Sequence, residues 1–194
     1  MAALPRPSSQ LSGASAPTRA GLVIFFTGLS GAGKSTIAQA LAERLRESDP
    51  RPVTLLDGDE VRTMLSAGLG FSREDRELNV RRVAWVAALI ARHGGVAICA
   101  LIAPYESARA EARVRVEAQG ARFVLVHLST PLETCEARDP KGLYAKVRAG
   151  KIASFTGIDD PYETPLDPDL TIDTSSVTVS EAVRKIELRS TRLR

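Results

Sequence analysis

The stretch "LVIFFTGLSGAGKST", residues 22–36, joins six apolar or β-branched residues to a glycine loop that ends in Lys-Ser-Thr. The apolar run reads as a buried strand. The segment after the loop, "GKSTIAQALAERLRE", has the spacing of an amphipathic helix. Gly28, Gly33, Lys34 and Ser35 fit the G-x-x-x-x-G-K-S pattern of a phosphate loop, and that pattern belongs between a strand and a helix. Its glycines let successive backbone N–H groups face phosphate oxygens, and the helix N-terminus adds partial positive charge. Gly28, Ser30, Gly31, Ala32, Gly33, Lys34, Ser35 and Thr36 are therefore expected to hold ATP. Lys34 would act on the β- and γ-phosphates, and Ser35 would bind Mg²⁺.

The rest of the chain alternates strand and helix. Strands are read in "RPVTLLDGD", "GVAICALIAP", "ARFVLVHLST" and "DLTIDTS". Helices are read in residues 73–94, in "ESARAEARVRVEAQG", in "PLETCEAR" and in "TVSEAVRKIELRS". Strands without polar alternation, each followed by a helix, imply a parallel sheet covered on both faces. The expected fold is an α/β three-layer P-loop sandwich of about five strands. At 194 residues and 44% hydrophobic, the chain suits one domain with a real core. Residues 1–20, rich in Pro, Ser and Ala, read as a disordered leader, and 21–194 as the kinase domain. Residues 138–168 are irregular and dotted with Gly and Pro, the composition of a lid.

Several classes are disfavoured. No apolar run is long enough to cross a bilayer, so no membrane partner is expected. The start lacks the apolar segment of a secretion signal, and Cys99 and Cys135 sit in apolar or helical contexts. These features read as a cytoplasmic protein with buried, reduced thiols. A net charge of +3 does not call for nucleic acid. The Asn-Lys-x-Asp of GTPases is absent. The strands at residues 96–101 and 123–128 carry no acid, unlike those of motor ATPases. The remaining acids, Asp57 and Asp59, close the second strand, which suits a small-molecule kinase.

In a doubly wound sheet ligands lie beyond the carboxyl ends of the strands. Asp59 there has the position to take a proton from an attacking hydroxyl or to hold the metal. The plainer reading of Asp57-Gly58-Asp59 is a turn with a helix N-cap. Arg62, Arg76, Arg81 and Arg82 flank the long helix around Asn79. Arginine forks suit sulfate or phosphate oxygens, although a solvated face paired with Glu74, Asp75 and Glu77 explains any one of them. Phe71 and Phe155 are loop aromatics able to stack on a base. His93 and His127 show no metal-ligand spacing, and Trp85 is read as core.

These motifs resemble the adenylylsulfate kinase family. The likeness runs from about Gly21 to the C-terminus and rests on "GLSGAGKST", "LLDGDEVR", "LGFSREDRELNVRR", "CEARDPKGLYAKVRAG" and "FTGIDDPYETP". It implies transfer of the γ-phosphate of ATP to the 3′-hydroxyl of adenosine 5′-phosphosulfate, giving 3′-phosphoadenosine 5′-phosphosulfate and ADP. It also implies Mg²⁺, a homodimer and a mobile lid. By the same resemblance Asp59 lies near the acceptor hydroxyl. Arg62, Arg76 and Asn79 hold the adenylylsulfate, and Phe71 and Phe155 sandwich its adenine. Ile102 and Ala103 line its pocket, Lys141 reaches it from the lid, and Arg138 lies near ATP. One departure is Ala103, where the family commonly has a serine. Alanine cannot be phosphorylated, so transfer is expected to be direct. The same departure leaves two alternatives: a kinase of another nucleotide conjugate, such as a cytidine diphosphoramidate, or a nucleotide-binding module without catalysis.

Overall fold

The computed structural model describes residues 20–191. The leader read over residues 1–20 lies outside them except for Ala20. Five parallel strands form one sheet in the order β2-β3-β1-β4-β5. They are β1 (Leu22–Thr27), β2 (Val53–Asp57), β3 (Val96–Ala100), β4 (Arg122–Leu128) and β5 (Leu170–Ile172). Among the described residues seven helices accompany them: α1 (Lys34–Ser48), α2 (Gly58–Met64), α3 (Arg73–Arg92), α4 (Glu106–Glu117), α5 (Leu132–Arg138), α6 (Leu143–Arg148) and α7 (Val179–Thr191).

The register explains why β1 is apolar from Leu22 to Phe26. Leu22 pairs with Val96 on one side and Arg122 on the other, so β1 is central. Leu22, Ile24 and Phe26 face a core shared with Ile37 and Leu41 of α1 and Ile186 of α7. Val23 and Phe25 face the opposite core, with Val80, Val83 and Ala87 of α3 and Ala112 of α4. A strand covered on both faces has no position left for a polar side chain. Edge strand β2 is only half-buried throughout.

Two helices arise where the sequence suggested only turn or loop. Helix α2 follows β2 at once. The carboxylate of Asp57 caps it by accepting the Asp59 N–H at 3.0 Å, so the plain N-cap reading holds. Helix α6 occupies part of the irregular 138–168 stretch. The Asp139 carboxylate accepts the N–H groups of Tyr144 and Ala145 at its start. Helix α3 begins as its sequence suggests, with the Ser72 hydroxyl accepting the Asp75 N–H, and it ends at His93. Trp85 departs from its core reading. It is 54% exposed, because Val83, Ala84 and Ala87 take the buried face of that helix. Cys99 and Cys135 are both buried and unpaired, as expected.

Candidate active site

The strands deliver the loop after β1, the acids after β2 and the 101–105 segment after β3 to one end of the sheet. A single cleft of about 1170 Å³ opens there. It is lined by Ser30, Gly31, Gly33, Lys34, Ser35 and Thr36 on one side and by Asp59, Arg62, Phe71, Arg76 and Asn79 on the other. Ile102, Ala103, Arg138, Lys141 and Phe155 complete it. Of the sequence-derived candidates, Gly28 and Ala32 do not line the cleft. Both are buried behind the loop, because Gly28 continues the strand and the Ala32 methyl packs into the α1 core.

The glycine loop is held through its carbonyls. Lys34 Nζ donates to Gly28 O at 2.9 Å and Leu29 O at 2.7 Å. Tyr144 of α6 donates its hydroxyl to Ser30 O at 2.9 Å. Arg138 Nη1 donates to Gly31 O at 3.3 Å, and Thr174 Oγ1 to Ala32 O at 3.1 Å. In a trans peptide C=O and N–H point in opposite directions. The Ser30 and Ala32 carbonyls, held by Tyr144 and Thr174, therefore turn the Gly31 and Gly33 amides the other way, toward the loop's interior where phosphate oxygens need them, while the Ala32 N–H is taken by Leu29 O at 3.2 Å. The motif does not require glycine at position 31, but the structure does. Gly31 has φ +76, and a Cβ there would stand 2.7 Å from Cys135 O.

Lys34 is nearly buried. Burial lowers its ammonium pKa to about 8, against partial support from Asp57 and Asp59. Asp57 lines the cleft. Its Oδ1 serves as the α2 cap, and its Oδ2 is buried with no partner among the described residues. Together with the Ser35 hydroxyl at the start of α1, that orphaned oxygen fits a magnesium ion held mainly by phosphates and water. Among the described residues, no group of three His, Cys, Asp or Glu gathers around a metal position.

On the other side, Asp59 is exposed and bonds through its carboxylate to Lys141 Nζ. Arg62 leaves α2 to donate to Gly70 O at 2.8 Å, with its guanidinium 4.8 Å from the Phe71 ring centroid. Arg76 lies 5.6 Å from the same ring. Burial and the neighbouring Arg76 both lower the Arg62 pKa, so an anion between the two would relieve a real electrostatic cost. Asn79 is 6% exposed, and its Oδ1 has no partner among the described residues.

Arg76 also does something the sequence did not suggest. It is buried, and it donates to Phe71 O at 2.8 Å, Thr156 Oγ1 at 2.8 Å and Ser154 O at 2.5 Å. Those last two acceptors lie some eighty residues away in the irregular stretch, which Arg76 thus pins across the cleft. Phe155, between them, meets Tyr144 edge-on at 5.0 Å between centroids. Arg81 follows the plainer reading: it faces Glu77 and Glu111 at 3.8 Å. Arg82 donates to Leu65 O. His127 is buried against Tyr162, outside the cleft.

The comparisons with known proteins agree with one another. A sequence model of the family described as adenylylsulphate kinase matches residues 20–173. An adenylyl-sulfate kinase of Gloeothece citriformis is 52% identical over 166 residues, covering 86% of this chain and 92% of its own. One of Myxococcus xanthus is 52% identical over 167 residues, covering 86% and 89%. Among solved structures, the Mycobacterium tuberculosis APS kinase in complex with AMPPNP and APS superposes with a TM-score of 0.83. It is 43% identical and covers 87% of this chain and 96% of its own. The glycine loop, the acids beyond β2 and the 20–173 match lead to one statement: this chain belongs to the adenylylsulphate kinase family.

Proposed function

We propose that this chain is an adenylyl-sulfate kinase, which moves the γ-phosphate of ATP to the 3′-hydroxyl of adenosine 5′-phosphosulfate. The observation that carries this reading is the continuity of the cleft. One space of about 1170 Å³ joins the phosphate loop to the Arg62, Phe71 and Asn79 side. A pocket for a single drug-sized ligand is roughly 300–1,000 Å³. The cleft therefore suits two nucleotides facing each other, as direct in-line transfer requires. Two lined-up substrates leave little for covalent chemistry, and Ala103 offers no hydroxyl for it.

The residues then divide the work. The inward amides and the Lys34 ammonium hold the triphosphate, and charge on Lys34 offsets charge developing on the transferred group. Arg138 and Thr36 border the same nucleotide. When bound, magnesium would neutralise and orient the phosphates, held by Ser35 and Asp57. Asp59 accepts the proton of the 3′-hydroxyl or orients it, once Lys141 turns from Asp59 to the anionic acceptor. Arg62 and Asn79 hold the adenylylsulfate, whose adenine lies between Phe71 and Phe155. Residues 138–168 act as the lid. Closure excludes the water that would otherwise take the phosphate.

The same reading includes a homodimer and a cytoplasmic setting. Exposed Trp85 and Val114, on the mutually packed helices α3 and α4, support the former. Two buried free thiols support the latter. The test is an acceptor panel with MgATP. Adenylylsulfate should give acceptor-dependent ADP. ADP formation only with a cytidine conjugate, or none with any acceptor, would replace this reading by one of the two alternatives.

A further inference from the structure

Arg109 is the largest fully buried side chain among the described residues, and the cleft does not include it. An arginine with its side chain completely enclosed needs a reason, since burial of a charge costs several kcal/mol unless every donor is met. Its donors reach three residues on two stretches of chain, the 103–106 turn and Glu163. Nη1 donates to Ala103 O at 2.7 Å. Nη2 donates to Glu106 Oε2 at 2.6 Å and to Glu163 O at 2.6 Å. Its guanidinium lies 5.9 Å from the Tyr162 ring centroid.

The first of these pieces borders the acceptor space. Ala103 has φ +44, a left-handed backbone that alanine adopts only when its surroundings impose it. The imposing bonds are visible. Thr27 Oγ1 donates to Ile102 O at 2.6 Å, and the Gly28 N–H points at the same oxygen at 3.4 Å. Arg109 fixes the next carbonyl. Thr27 ends β1 and Gly28 follows it; β1 flanks β3 on one side, while β2 flanks it on the other. With Ile102 C=O drawn toward β1, the trans peptide sends the Ala103 N–H toward β2. That is the side of Asp59 and Arg62. This N–H has no acceptor among the described residues. The next residue, Pro104, has no N–H to present there.

The other piece is the far foot of the irregular stretch. The Glu163 N–H donates to Pro104 O at 2.8 Å, the Glu106 N–H to Glu163 Oε2 at 2.6 Å, and the Tyr162 hydroxyl stands 2.9 Å from Thr27 Oγ1. Because Thr27 has spent its single proton on Ile102 O, Tyr162 is the donor in that pair.

We infer that Arg109 is a positioning residue for the acceptor: it locks the Ala103 turn to residues 162–163, so that the Ala103 N–H is presented to the anionic part of the adenylylsulfate only when that foot is docked. The inference rests on the activity proposed above. Arg109 touches no substrate and acts through the turn.

The test measures KM for each substrate in Arg109→Lys and Tyr162→Phe beside the unchanged chain. Lysine keeps the charge but cannot serve three acceptors from one plane. Arg109→Lys should raise the KM for adenylylsulfate tenfold or more, with the KM for ATP within about twofold. Tyr162→Phe, which removes one donor at the edge of the network, should raise the same KM a few-fold and leave ATP unaffected. An unchanged acceptor KM in both variants overturns the inference. So does a rise of both KM values in step, or a fall in kcat alone, the mark of a smaller folded fraction. Absence of turnover in the unchanged chain would overturn the activity itself, and this inference with it.

Discussion

Lys34 makes nucleotide binding pH-dependent in a way the structure lets us calculate. Burial lowers its pKa to about 8 in the free chain, and a triphosphate needs the charged form. Binding affinity then scales with the charged fraction. That fraction falls from about three quarters at about pH 7.5 to about 3% at about pH 9.5, so the Kd of a non-hydrolysable ATP analogue should rise about 25-fold. The nucleotide's own phosphates are ionised throughout this range and add no trend. At the upper pH, binding must also take up nearly one proton. Isothermal titration in buffers of different ionisation enthalpy reads both quantities. Lys34→Arg, charged at every pH used, should flatten the profile and abolish the uptake. A flat profile in the unchanged chain, or an equal slope in Lys34→Arg, would refute the argument.

Four further outcomes follow from the same contacts. For folding, the sign of the Lys34 effect reverses. The unfolded chain keeps this proton up to the ordinary lysine value of 10.5, so stability rises with pH between about 8 and 10.5, by up to about 1.4 kcal/mol per pH unit. Urea titrations should show this slope in the unchanged chain and lose it in Lys34→Met. Asp59→Asn should lower kcat by about 10²–10⁴ while leaving the Kd for ATP nearly unchanged. Gly31→Ala should weaken ATP binding at least tenfold, since its Cβ would strike the Cys135 carbonyl; unaltered affinity would show that the loop has other ways to fold. Arg76→Ala should cost roughly 2–4 kcal/mol by urea denaturation and speed amide exchange in residues 150–160, because the buried fork holds that segment.

The sequence made the sheet and the phosphate loop legible because both write themselves locally. Residues 22–26 are apolar at every position, and the Lys-Ser-Thr of the loop that follows has one common use. Helix α6 was hidden because it lies between Gly142 and Gly150 and is only six residues long, too short for a period to show. Trp85 was misread because an aromatic in an apolar helix suggests core, whereas here alanines and valines fill that face. Arg76 was picked out by its type and place, but its grip on Ser154 and Thr156 joins residues far apart in the chain, which no local pattern records. Arg109 passed unnoticed for the same reason. It sits in an arginine- and glutamate-rich helix that reads as a solvated surface, and only the fold shows that its side chain is enclosed. The N-cap reading of Asp57 was right, and its second carboxylate oxygen, buried without a partner among the described residues, is what that reading leaves over.

The most direct measurement is the identity of the product. The chain is incubated with MgATP and adenylylsulfate, and the transferred phosphorus is located by ³¹P NMR. The account predicts one new phosphomonoester on the 3′-oxygen, with the phosphosulfate bond intact and one ADP formed for each. Inorganic phosphate in place of that monoester, or a phosphate carried on any other oxygen, would contradict it.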